Sequence, residues 1–227
     1  MAATKVRLRF AKQSDLRLVS HHDLMRCCER AVRRAQLPIA QTQGFSPRPR
    51  IVFALAMAVG IEGRREVMDL VLDAEIPAAE VGRRFSNALP PGFVIHEAFA
   101  VPLKASCQAI AAHYSLSVPS ERLAQSQTEL RQFHASINWP YERVRPDRTT
   151  QFDLRPHVRG ATLDATGRLE FTLTIDNLGS ARPEEFLEAL ALADLLESGA
   201  ILTRENIELA FESEAEQHKP GEHSILC

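Results

Sequence analysis

From Lys5 to Phe10 the chain alternates basic and apolar residues: Val6, Leu8 and Phe10 fall between Lys5, Arg7 and Arg9. This is the two-residue period of a strand with one buried and one wet face. The period then changes. Leu24, Cys28, Ala31 and Ala35 recur every three or four residues, which puts them on one face of a helix. Ser20 is placed to cap that helix, with Asp23 at its third position facing the N-terminal dipole, and Pro38 ends it near Gln36. Strands are then expected at Ile39 to Thr42, Ile51 to Met57 and Glu66 to Glu75. Pro77 opens a helix to about Leu89, and Phe93 to Val101 reads as a strand.

The rear of the chain repeats this rhythm. His113 to Val118 alternates as a strand, Ser120 starts a helix to about Ser136, and Tyr141 to Arg145 is short and extended. Phe152 to Val158 and Leu169 to Ile175 read as strands paired around the turn Asp164 to Gly167. A helix from Pro183 to Leu196 turns Phe186, Leu187 and Leu190 inward, and Ile201 to Ala210 supplies a last strand. The expected fold class is α+β, with two tandem ferredoxin-like (split βαβ) units and antiparallel sheets. The units divide as 1–104 and 105–210, and 211–227 reads as a polar, disordered tail.

Composition sharpens this picture at two points. The net charge of −2 conceals a polarity: residues 1–65 hold 13 Lys and Arg against 4 Asp and Glu, and the remaining residues hold 14 against 25. The front is therefore the part suited to an anion. The four cysteines form no CxxC pair, so neither a zinc site nor a disulfide framework is expected. With no apolar run of membrane-spanning length and no signal-peptide core at the N-terminus, a cytoplasmic protein is expected.

The candidate chemistry gathers between Ser20 and Gly60. His22, Arg26, Arg30 and Arg33 share one helix face away from the apolar one, with Arg34 adjoining. Such a row can follow a phosphate backbone, although Glu29 stands four residues before Arg33 and is able to pair with it. His21 and His22 sit at the helix start, where the dipole favours neutral rings. Such rings suit acid–base work or hydrogen bonding to a substrate, while the spacing of His21 to Leu24 and Cys28 equally suits a role inside the fold. No third ligand accompanies the pair, so no metal is expected. In Gln43 to Arg50, Gly44 permits unusual backbone angles while Pro47 and Pro49 stiffen the loop. Arg48 and Arg50 then project from a frame with little entropy to lose, Phe45 is able to stack on a base, and Gln43 to read a polar edge. No Walker loop, dinucleotide fingerprint, GxSxG, HExxH or CxxxCxxC is present, so no cofactor is expected.

The run RLRFAKQSDLRLVSHHDLMRCCERAVRRAQLPIAQTQGFSPRPRIVFALAMAVG resembles the start of the bacterial radical-SAM-linked protein family, a domain of unknown function. VSHHD matches that family's LSH-like motif at His21 and Asp23, and QGFSPRP matches its second motif over Gln43 to Pro49. FDLRPHVRG and GSARPEEFLEAL are similar to its second half. Arg48 stands where many relatives carry histidine. The resemblance implies a radical-SAM protein with a B12-binding-type domain as partner, in a genomic setting of ribonuclease and ribosomal-protein genes. It thus implies a non-catalytic accessory that binds or presents tRNA or rRNA. Tandem ferredoxin-like halves are also similar to the CRISPR repeat-processing endoribonucleases. A metal-independent endoribonuclease using His21 or His22 is the alternative, and a module docking on the radical-SAM partner is a third reading.

Overall fold

The computed structural model describes residues 3–176 and 180–212. The first half runs β1 (Thr4–Lys12), α1 (His21–Arg34), β2 (Ile51–Phe53), β3 (Glu62–Leu72), α2 (Ala78–Ser86) and β4 (Phe93–Val101). The second runs β5 (Ala109–Ser117), α3 (Ser120–Ala135), β6 (Pro140–Val144), β7 (Thr149–Asp153), β8 (Val158–Leu163), β9 (Arg168–Thr174), α4 (Pro183–Ala189), α5 (Asp194–Glu197) and β10 (Thr203–Leu209). All strands but β6 and β7 join one sheet in the order β4-β1-β3-β10-β5-β9-β8, with β2 also on β3. The pairings are antiparallel except β3 with β10, which run parallel through Thr203↔Glu62 and Arg204↔Gly63. The fold is therefore mixed α/β with a mostly antiparallel sheet. Where separate antiparallel sheets were expected, a single sheet spans both halves.

Each half has its own apolar cluster. Val6, Leu8 and Phe10 pack with Leu24, Cys28, Ala31 and Val32 of α1 and with Val81 and Phe85 of α2. In the second half Tyr114, Leu116 and Phe171 meet Phe133 of α3 and Phe186, Leu187 and Leu190. Trp139 lies 5.2 Å from the Phe133 ring and so anchors the second half itself.

Several expected elements differ in detail. Ile39 to Thr42 contributes only the isolated bridges Ile39↔Leu72 and Gln41↔Pro49. The strand expected to reach Met57 stops at Phe53, because the chain turns across the junction between the halves. β9 pairs with β8, not with the stretch from Phe152, which belongs to a separate hairpin of β6 and β7. The long helix through Leu196 breaks where Ala191 takes a φ of 55°. The tail expected from residue 211 lies, beyond Glu212, outside the described residues.

The largest departure concerns β1. Its alternation predicts wet arginines, yet Arg7, Arg9 and Lys12 are all buried. Arg7 Nε and Nη2 grip Asp69 of β3 at 2.8 and 3.1 Å, and further donors reach the carbonyls of Phe211 and Ser106. Arg9 donates to the Ile207 carbonyl at 2.9 Å. The β4–β5 connection and the end of the described chain thus cover the face that periodicity assigns to solvent.

At the parallel junction Arg204 Nε and Nη2 meet both oxygens of Glu66 at 2.6 and 2.7 Å, with both side chains buried. Glu66 folds back over Gly63, where a Cβ would lie 2.5 Å from its Cγ and Oε1, so only glycine leaves the carboxylate in place. Removing one partner of a buried pair strands the other charge. Arg204→Met is expected to cost about 3–5 kcal/mol in urea unfolding, and Arg204→Met combined with Glu66→Leu markedly less.

Candidate nucleic-acid interface

Ser20 caps α1 by accepting from the Asp23 amide at 3.2 Å, and its hydroxyl donates to the Asp23 carboxylate at 2.8 Å. Along the helix His22, Arg26, Arg30 and Arg33 are exposed, opposite the buried Leu24, Cys28 and Ala31. Arg26 rests 3.4 Å from Asp23, an exposed pair of small worth. Arg30 and Arg33 make no hydrogen bond or ion pair among the described residues, and Glu29 leaves Arg33 alone. Arg34 differs, since it donates to the Ala88 carbonyl beyond α2. From α2, Arg84 reciprocates by donating to the carbonyls of Ala35 and Gln36 at the end of α1.

The proline loop projects beyond the end of β3. Its stem is held by Thr42 and Arg48, which exchange a backbone bond of 2.8 Å and a hydroxyl bond of 3.0 Å, and by Arg50 N–H donating to the Ala40 carbonyl. Gly44 adopts a φ of 136°, which its neighbours' residue types do not readily take. Gln43, Phe45, Arg48 and Arg50 are exposed, Phe45 fully so. Arg48 and Arg50 side chains, like those of Arg30 and Arg33, have no partner among the described residues.

The histidines do not join this loop. The 14 residues of α1 span about 20 Å, with the pair at one end and the loop following the other. His21 is half-buried, its ring 5.3 Å from Phe53 and its Nδ1 accepting from the Met57 amide at 3.5 Å. Burial, then the nearby His22, Lys12 and Arg204, hold its pKa below the usual histidine value. His22 is exposed, with ring centroids 6.2 Å apart.

Next to His21 lies a polar group that the sequence pattern conceals. Lys12 Nζ is buried and donates to the carbonyls of Val19 and Ala58 at 3.2 and 3.1 Å. Burial lowers its pKa to about 8, against the pull of Glu66. Arg204 also donates to the Ala56 carbonyl at 3.2 Å. The segment from Ala54 to Gly60 is thereby pinned across the junction. No grouping of three or more His, Cys, Asp or Glu suited to a metal ion occurs among the described residues. No helix among them is long and apolar enough to cross a membrane.

Comparison with known families matches residues 5–183 to a model described as "Uncharacterized protein conserved in bacteria (DUF2344)". The chain belongs to this family. The matched residues of this bacterial family of unknown function take in α1, the proline loop, Lys12, Glu66 and Tyr114, whereas Arg204 lies beyond them. A search of curated proteins finds no match. Among solved structures, one titled "Crystal Structure of an Unknown Protein from Galdieria sulphuraria" is similar at 13% identity over 88% of this chain and 96% of that one. Its TM-score is 0.27, too low to carry an argument.

Two outcomes follow from the geometry. Phe45→Ala should change unfolding stability by less than about 0.5 kcal/mol, because the ring touches nothing the fold needs. For His21 the folded pKa lies below the unfolded value of about 6.5, so the unfolded chain takes up the proton first as pH falls. Stability is therefore lost as pH drops from about 6.5 towards the folded pKa, and urea unfolding of His21→Gln should show a shallower decline over that window.

Proposed function

We propose that the chain is a cytoplasmic, RNA-binding accessory of a radical-SAM enzyme, itself non-catalytic, that presents tRNA or rRNA for modification. The observation that carries this reading is the set of four exposed arginines without internal partners, Arg30 and Arg33 on α1 and Arg48 and Arg50 on the loop, with a fully exposed Phe45 between. Guanidinium groups offer planar donors to phosphate oxygens, and an exposed ring on a braced loop offers a stacking surface at small entropic cost. Arg26, Arg34, Gln43 and Gly44 complete the surface: Arg26 through an exposed, easily exchanged pair, Arg34 by fixing α1 against α2, and Gly44 by shaping the loop.

We read residues 1–104 and 105–210 as two ferredoxin-like units. The strand orders β4-β1-β3-β2 and β10-β5-β9-β8, with a helix after the first and third strand of each, support that reading. The radical-SAM partner rests on the sequence resemblance. Filter binding of tRNA and rRNA fragments across a salt series tests the RNA part. Arg30→Ala with Arg33→Ala should weaken binding and make the log–log salt slope shallower by about 1.4, near 0.7 for each phosphate contact to a single strand. An unchanged slope would remove the arginine surface from the reading.

A metal-independent endoribonuclease is the second reading, favoured by a neutral His21 beside an exposed His22 at a helix N-terminus. His21 Nδ1 accepts from Met57, so its Nε2 carries the proton and can orient a substrate by donating a hydrogen bond, which leaves the His22 ring for proton transfer. RNA cleavage in EDTA that disappears in His22→Ala and His21→Ala would favour it. Stable co-purification with a radical-SAM protein at high salt, without RNA, would instead favour a protein-docking module.

A further inference from the structure

Each half of the chain departs from its compact core at the same point in its topology. In the first, the chain between α1 and β2 leaves the sheet as the proline loop. In the second, the chain between α3 and β8 leaves it as the hairpin of β6 and β7. Because β3 and β10 run parallel where they meet, β2 and β8 share a direction, and both excursions leave from the same end of the sheet.

The hairpin is firmly seated at its base and unused at its tip. Trp139 N–H donates to the Asp153 carboxylate at 2.7 Å, Tyr141 donates to Glu188, and Arg143 Nη2 donates to Glu185 at 2.7 Å. Glu185 also accepts from the Arg182 amide at the start of α4, so it ties helix and hairpin together. The Arg143 guanidinium lies 4.7 Å from the Phe152 ring centroid. Beyond this anchor the turn closes through Arg145 N–H to the Arg148 carbonyl at 2.9 Å. There the side chains stop serving the fold. Val144 is 72% exposed, and Arg148 is exposed without a side-chain partner among the described residues. The Arg145 Nε is shielded from water yet meets no acceptor. Arg145 as a whole is only half-buried, and its terminal N–H groups, which make no hydrogen bond or ion pair among the described residues, are the donors that a phosphate oxygen can reach. Both tips also carry an arginine followed by proline, Arg48-Pro49 and Arg145-Pro146.

We propose that the β6–β7 hairpin is a second RNA-binding arm, the counterpart of the proline loop, whose Arg145 and Arg148 take backbone phosphates. This inference rests on the RNA reading above. It assigns an anion contact to the acidic half of the chain, where net charge alone argues against one. Asp147 at the turn confines the contact to the two arginines on either side of it.

The test uses the full chain and the same RNA fragments. Arg145→Ala with Arg148→Ala leaves the Arg143–Glu185 anchor intact, so the thermal midpoint should be unchanged. The log–log salt slope should become shallower by about 1.4 relative to the unaltered protein. A benzophenone-bearing residue placed at position 144 should capture the RNA under ultraviolet light. If the hairpin variant keeps the full slope while Arg30→Ala with Arg33→Ala reduces it, the hairpin proposal is overturned and the RNA reading stands. If the unaltered protein binds no RNA, both fall together.

Discussion

A guanidinium withdrawn from water must meet a carboxylate, and in this chain the two halves satisfy that requirement jointly. Arg204 belongs to β10 and Glu66 to β3, so neither half can bury its charge alone. Lys12 and Tyr114 border the pair, and the Ala54 to Gly60 segment gives its Ala56 and Ala58 carbonyls to Arg204 and Lys12. Arg7 with Asp69 extends the same logic to the opposite face, where the Ser106 and Phe211 carbonyls complete the guanidinium's shell. Pairs of this kind contribute little net stability over apolar residues of equal volume, but they penalise every arrangement that leaves one member unmatched. Their effect here is on register: a slipped β3–β10 pairing leaves two buried charges without partners.

That register governs what the surface can do. Parallel pairing of β3 with β10 gives the two halves a common strand direction, and the chain preceding β2 and β8 therefore emerges at one end of the sheet. Antiparallel joining would send the two excursions to opposite ends. The helix stripe runs between: α1 begins beside the buried charges at His21 and finishes where the proline loop departs. Charges that hold the fold are paired within it, and arginines without internal partners among the described residues lie on α1, on the proline loop and at the hairpin tip. The two sets of arginines look alike in composition and differ only in whether the fold supplies a carboxylate.

This distinction explains how much could be read from the sequence. Helix positions were legible because Leu24, Cys28 and Ala31, or Phe186, Leu187 and Leu190, mark a face by spacing alone, and the Ser20 and Asp23 cap is a local device. The exposure of the α1 arginines and the bracing of the Gln43 to Arg50 loop were legible for the same reason. Arg7, Arg9 and Lys12 were not, because alternation reports that one face differs from the other and not what covers either. The covering of Arg7 and Arg9 comes from residues about 100 and 200 positions away, at Ser106 and at Ile207 to Phe211, and that of Lys12 from Val19 and Ala58. The hairpin was misassigned on similar grounds. Phe152 and Val158 both suit strands, and only the 3-10 turn at Arg155–His157 separates a β7 that pairs with β6 from a β8 that pairs with β9.

The histidine pair shows how the buried junction limits the chemistry nearby. A histidine at a helix N-terminus is already disposed to neutrality, and His21 adds burial and the proximity of Lys12 and Arg204. Any added proton would place a third positive group beside Lys12 and Arg204, which Glu66 opposes. His21 is therefore held as a neutral acceptor for the Met57 amide, and its service to the fold and to proton transfer draw on the same ring. His22, one residue on, faces outward and shares the helix start without those internal bonds. A proton added at His21 Nδ1 would displace the Met57 amide, so a reaction at this end of α1 would have to be led by the ring that the core does not use.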